Sequence, residues 1–225
     1  MDWQDFWKLL HLLTFVYWVG ADLGVFYSAR VVCNSSYQLK TRITILGILS
    51  WIDMIPRYML ILTFPVGFIL LSYVSIDAPN YFLIIFFSFL AVLWIVVSTI
   101  IHIYGGTSFG KKLVFFDFIC RVAFILALLS YGLLYFFGAE VNIENWAAIK
   151  IILFAGTVFC GLGIRVTFKP FTSAFKTLVN EGSNPEVEAT MKRSLNHAVP
   201  FVLGIWVLAG IAAFIGLTHE VIFLS

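Results

Sequence analysis

The chain alternates long apolar runs with short polar breaks. Runs over about 6–30, 48–74, 81–104, 112–138, 146–169 and 198–217 each reach the roughly 20 residues a helix needs to cross ~30 Å of hydrocarbon. The breaks are Asn34-Ser35-Ser36, Asp77-Ala78-Pro79-Asn80, Gly105-Gly106-Thr107, Gly138-Ala139-Glu140 and the stretch Asn180 to Pro185, all turn-forming in composition. This pattern predicts an all-α, polytopic transmembrane helical bundle of six spans, one domain over 1–225. The longest connection is about 170–197. There Phe171, Phe175 and Leu178 recur at helical spacing and predict an interfacial helix, and Glu186 to Arg193 predict a second, short amphipathic one.

Composition agrees. Of 225 residues 61% are hydrophobic and 12% charged, where a globular domain carries about 25% charged. The first run is longer than a signal-peptide core, contains Asp22 and is followed by no small-residue cleavage site, so it is expected to be retained. Cys33, Cys120 and Cys160 have no C-x-x-C spacing and read as packing residues. A net charge of +2 gives no reason to expect a nucleic-acid partner; the expected surroundings are a lipid bilayer.

The placement of charge adds a direction. Arg30, Lys40 and Arg42 follow the first span, Lys111 and Lys112 the third, and Arg165, Lys169, Lys176, Lys192 and Arg193 the fifth. The other ends hold Asp2, Asp5, Asp77, Glu140, Glu144 and Glu220, with Lys8 and Lys150 as their basic residues. The positive-inside rule then sets both termini outside and the basic loops in the cytoplasm, in a bacterial plasma (inner) membrane crossed several times.

With direction set, the polar side chains sort into two levels. His11 and Lys150 begin spans one and five on the outer side. Asp22, Asp53, Arg57, His102, Asp117, Arg121, Arg165, Asn196 and His197 belong to the inner half. His11 and Asp22 share one helix face, as does Trp18 between them, and the two are about 16 Å apart in height. Ionisable groups within the membrane cost ~2.5–3.5 kcal/mol on insertion scales and so want a partner, a cavity or a cofactor. Asp53/Arg57 and Asp117/Arg121 have the spacing of ion pairs within a helix; alternatively the arginines bind an anionic group that the aspartates help to orient. Asp22 is expected in an ion pair. His219 reads as an interfacial hydrogen-bonder, and His11 as a ligand candidate. His102 and His197, at the inner helix ends, are candidates for one shared metal. No H-x-x-x-H or H-E-x-x-H motif supports zinc or di-iron chemistry. Copper wants Met and Cys clusters that are missing. A flat macrocycle needs only axial ligands, aromatic walls and cations for its acids, and suits the chain better.

Four stretches carry a family likeness. WKLLHLLTFVYWVG (Trp7 to Gly20), RYMLILTFPVGFILL (Arg57 to Leu71), WAAIKIILFAGTVFCGLGIRVTFKPF (Trp146 to Phe171) and MKRSLNHAVPFVLGIWVLAG (Met191 to Gly210) resemble spans of the HemJ-type protoporphyrinogen oxidase family. The resemblance implies a haem-b-binding helical membrane protein in which His11 and Lys150 are the haem or catalytic residues. It also matches Arg30, Arg193, Asn196 and Pro200 to family positions. Spans three and four are an insertion relative to that four-span family, and Asn196-His197 replaces its Asn-Glu. The CopD-like copper-resistance proteins are wider relatives of the same pattern.

The function expected is therefore that of a haem-b membrane protein with a redox or electron-transfer role. His11 would be an axial ligand, Lys150 an opposite ligand or propionate partner, and His102 with His197 would hold a second, inner haem. Arg57, Arg121 and Arg165 would hold propionates. Quinone, another membrane redox protein and a second copy of the chain are the expected partners. The alternatives are CopD-like metal transport and a non-catalytic subunit of a membrane complex.

Overall fold

A computed structural model describes residues 3–74, 80–138 and 143–222. Asp2, Asp77 to Pro79 and Glu140 lie outside the described residues, and so do the side chains of His219 and Glu220. Eight helices appear among the described residues: α1 (Trp3–Val32), α2 (Leu39–Ile52), α3 (Met54–Val74), α4 (Tyr81–Tyr104), α5 (Ser108–Phe136), α6 (Asn145–Thr167), α7 (Lys169–Glu181) and α8 (Pro185–Ile222). Six helical stretches are long and apolar enough to cross a membrane, with α2 and α3 forming one of them.

The breaks have local causes. Asn34 accepts the Ser36 N–H in the turn after α1. Asn80 caps α4 by accepting the Leu83 N–H at 3.2 Å, and Thr107 caps α5 by accepting from Gly110 at 3.0 Å. Gly110 is obligatory there, because a Cβ would sit 1.9 Å from the Tyr104 carbonyl oxygen. The second span differs from expectation. It starts at Leu39 instead of 48 and is interrupted at Asp53. Three residues on, Pro56 supplies no N–H for the Ile52 carbonyl and its ring would strike it, so the helix breaks.

The connection after α6 also differs. Helix α7 does bear an apolar face, but Phe171, Ala174, Phe175 and Leu178 are buried in the protein against the end of α1, α2 and the start of α8. Gly182, at φ +90°, ends it. Asn184 then caps α8 by accepting the Val187 N–H at 2.9 Å. The stretch Glu186 to Arg193 is no separate helix: it forms the first turns of the 38-residue α8. That helix is about 57 Å long, nearly twice the ~30 Å hydrocarbon thickness of a bilayer.

The spans close into a ring in the order α1, α3, α4, α5, α6, α8 and back to α1. Each contributes to one core: Trp18, Leu60 and Ile61, Ala91, Ile125 and Leu128, Ala155 and Val158, and Ile205. The closest pair is α6 with α8. Gly163 lies beneath the Phe201 ring and Gly204 faces Cys160, so small residues let the two backbones approach. Both termini emerge at one end of the ring, called here the terminal end; the basic loops form the other.

Candidate functional site

In the terminal half a cavity of about 460 Å³ opens between α1, α3, α6 and α8. His11, Phe15 and Trp18 reach it from α1, Phe64 and Gly67 from α3, Lys150 and Phe154 from α6, and Ala213 and Gly216 from α8. Heptad-like spacing puts His11 and Trp18 on one face of α1. Thr14 steadies the same turn, its hydroxyl donating to the His11 carbonyl at 2.8 Å. The imidazole lies against bare Gly67, where a Cβ would come within 3.1 Å of Cε1. Its Nδ1 is sealed from solvent and has no hydrogen-bond partner among the described residues. Lys150 lies over Gly216, with Nζ 5.6 Å from the centre of the Trp146 ring. Trp146 in turn donates its indole N–H to Glu144. No aspartate or glutamate is among the described residues lining the cavity, whereas Lys8, His11 and Lys150 are.

An aromatic floor closes the cavity. Trp18, only 4% exposed, meets the Phe154 ring edge-on at 6.4 Å. Phe154 also stacks on Phe64 at 6.3 Å, and both touch Phe124 from α5. Phe124 meets Trp94 of α4 at 5.5 Å.

Below this floor lies the loop-end network. Asp117, 1% exposed, accepts the Trp94 indole N–H at 2.7 Å, Arg121 Nε at 3.0 Å and Arg165 Nη1 at 2.5 Å. The Arg121 guanidinium sits 5.0 Å from the Trp94 ring centre, and its Nη2 is buried with no hydrogen-bond partner among the described residues. Arg57 pairs with Asp53 one turn away. Both i,i+4 pairs expected from spacing are thus present, one within α5 and one across the break at Asp53, and Arg165 joins the former from α6. Fifteen residues of α6 separate Arg165 from Lys150, about 22 Å of rise, so the arginines belong to a different level from His11.

The other candidates are scattered. Asp22 meets no cation among the described residues; it accepts the Trp206 indole N–H at 2.8 Å in place of the expected ion pair. His102 packs edge-on to Trp51, 4.7 Å between ring centres. His197 and Asn196 are exposed on α8. Helices α4 and α8 occupy opposite places in the ring, so the structure does not bring His102 and His197 together. Among the described residues no three His, Cys, Asp or Glu side chains gather as a metal-ligand set.

Residues that spacing did not single out complete the picture. Arg42, 2% exposed, donates to the Val32 carbonyl at 2.7 Å and grips Glu188 with both Nη atoms at 2.7 and 2.9 Å. This clasp ties α1, α2 and α8 together at the loop end. Gly67 and Gly216, whose bareness admits His11 and Lys150, carry no signal in a single sequence.

No family model, curated protein or solved structure matches the chain.

Proposed function

We propose that this chain is a multi-pass protein of the bacterial plasma membrane, termini outside, that binds one haem b in the terminal-half cavity and serves a redox or electron-transfer role. The observation that carries the reading is His11: an imidazole lining an aromatic-walled cavity, with a buried Nδ1 that no described residue satisfies. The donor set suits the group. His11 is the axial-ligand candidate, Trp18, Phe64 and Phe154 are apolar walls, and Lys8 and Lys150 line the same cavity. Lys150 lies near the Trp146 ring, a cation–π geometry that suits the propionate-partner role better than that of a ligand. Bound there, haem iron supplies a one-electron couple whose potential follows from its axial ligand and burial.

The chain's own part is positioning. The Gly67 gap and the Thr14 bond set the imidazole, the aromatic floor keeps water from the loop end, and the small side chains of α8 leave room. The separation of His102 from His197 favours one haem over two. The likeness of residues 7–20 and 146–171 to the HemJ-type family points to the same His11 and Lys150. It also suggests a narrower reading as a porphyrinogen oxidase, with quinone or another membrane redox protein taking the electrons. Full-length protein purified with added haem should show a Soret band and a reduced-minus-oxidised difference spectrum, both lost in His11→Ala. A wild-type protein without a Soret band would rule the reading out.

A further inference from the structure

We infer that an anionic phospholipid docks on the outside of α5 and α6, with an acyl chain in an apolar groove and its phosphate between Lys111 and Lys169. The inference does not depend on the haem reading and takes from it only that these helices cross a membrane. Three observations carry it.

The first is the groove. A hollow of about 520 Å³ lies along α5 and α6 and shares no lining residue with the cavity of His11. Its floor is Ile125 and Leu162, both buried, with bare Gly163 beside them. Val122 and Leu126 of α5, and Phe159 and Val166 of α6, stand exposed as its rims. Thr167 alone brings a polar side chain, and its hydroxyl already donates to the Gly163 and Ile164 carbonyls. From Leu129 to Phe118 is eleven residues, about 16 Å of rise. That is the depth of one leaflet's share of a ~30 Å hydrocarbon core. On a membrane-crossing surface such a hollow meets lipid chains and not water.

The second is what stands at its loop end. Lys111, Phe118, Val122 and Leu129 lie within about 20° of one line along α5, so Lys111 continues the groove's own face. The register of α5 against α6 is fixed at two heights. Arg165 bonds Asp117 at 2.5 Å, and a Cβ on Gly132 would meet the Ala148 carbonyl oxygen at 3.2 Å. Carried to the loop end, that antiparallel register sets Lys111 within about 3 Å in height of Lys169, where α6 gives way to α7. Both lysines are exposed. They stand about one to two turns beyond Phe118, the level of the headgroups when the groove holds the chain.

The third is charge. Neither ammonium group has an ion pair or hydrogen bond among the described residues. The acid of α5 is Asp117, which is buried on another face and engaged with Arg121 and Arg165. Helix α6 contains no acid, and that of α7 is Glu181, twelve residues beyond Lys169. Two cations level with one another at the foot of an apolar groove match a phosphate head on a hydrocarbon chain.

The test uses the full chain in a neutral detergent, with dioleoyl phosphatidylglycerol and dioleoyl phosphatidylcholine compared by native mass spectrometry. A lysine near an anionic head contributes about fivefold in affinity, so phosphatidylglycerol should bind about thirtyfold more tightly than phosphatidylcholine. Lys111→Gln with Lys169→Gln should bring it to the phosphatidylcholine level. Lys192→Gln with Arg193→Gln, exposed on α8, should leave it unchanged. Phosphatidylglycerol with a diazirine in one acyl chain should label wild type at Val122, Leu126 and Phe159. Val122→Trp should lower that labelling about tenfold, and Leu93→Trp on the exposed face of α4 should not. Equal binding of the two lipids, or an equal loss in both pairs of basic variants, would overturn the headgroup site. Labelling spread evenly over α4, α5 and α6 in wild type, or unaltered by Val122→Trp in protein that elutes as wild type, would overturn the groove.

Discussion

The Asp22 carboxylate of α1 accepts the indole N–H of Trp206 on α8 at 2.8 Å, joining residues 184 apart in the chain. It is a neutral donor serving a carboxylate inside the bundle, in the place where an arginine would be expected. The pair closes the ring at mid-height and lets α1 and α8 stand apart above it.

Trp206→Phe keeps the ring against Phe26 but removes the donor. Leaving a buried acceptor unsatisfied costs about 1–3 kcal/mol. The detergent-solubilised variant should melt below wild type, and Trp206→Phe with Asp22→Leu, which removes both polar partners, should melt above Trp206→Phe alone. Equal melting of wild type and Trp206→Phe would show that the bond contributes nothing.

That pair also shows where sequence reading stops. Helical spacing suffices for Asp117/Arg121, since both partners lie on one helix, and for Asp53/Arg57, since the four-residue offset survives the break at Asp53. Apolar runs and turn residues located the six spans for the same local reason. Arg165 reaches Asp117 across 48 residues, and Arg42 reaches Glu188 across 146. Such contacts are decided by which helix faces meet. Amphipathicity gave α7 an apolar face but could not say that protein, not lipid, would cover it. His11 was legible as a polar residue in an apolar span, whereas the cavity beside it depends on Gly67 and Gly216 from two other helices.

Asp117 pairs with two guanidiniums at once. Asp117→Ala should cost about 3–5 kcal/mol, the usual penalty for stranding a buried charge. In the Arg121→Met, Arg165→Met background the same substitution should cost far less. Thermal midpoints of the variants read the coupling; additive losses would mean that the three residues do not act together.

The α6–α8 contact depends on Gly163. A Cβ there would meet the Phe201 ring at 2.4 Å, so Gly163→Ala should destabilise by about 1–3 kcal/mol through overpacking. Phe201→Leu added to Gly163→Ala should restore part of it. A Gly163→Ala protein as stable as wild type would place slack in this interface.

The Arg42 clasp gives a pH dependence outside the membrane-spanning segments. Hydrogen bonds from Arg42 hold the Glu188 carboxyl below its ordinary 4.5, against a smaller opposing effect of burial. Because the folded value is depressed, the clasp's contribution is complete above pH ~4.5 and fades as pH falls through the lower folded value. Thermal midpoints of wild type and Glu188→Gln should therefore converge as the medium is acidified below 4.5. A gap that persists unchanged at lower pH would remove Glu188 ionisation from the account.

For the cavity, Gly67→Val should push the His11 ring from its seat, since even a Cβ would crowd Cε1 at 3.1 Å. The expected outcome is a shifted or weakened Soret band with an unchanged elution profile. An unaltered spectrum would mean that the imidazole position does not govern cofactor binding.

Helix α8 passes from the Arg42 clasp through Trp206 to the cavity without a break in its helical run. From Glu188 to Trp206 is about 27 Å of rise and from Trp206 to Gly216 about 15 Å, so the helix is a lever with its fulcrum at the Asp22 bond. Pro200 lies on the longer arm and removes the hydrogen bond to the Asn196 carbonyl, giving that arm a compliant joint. Motion imposed at Glu188 is therefore taken up at Pro200 before it reaches the Asp22 bond, so the cavity beside Ala213 keeps its shape while the clasp end of the helix shifts.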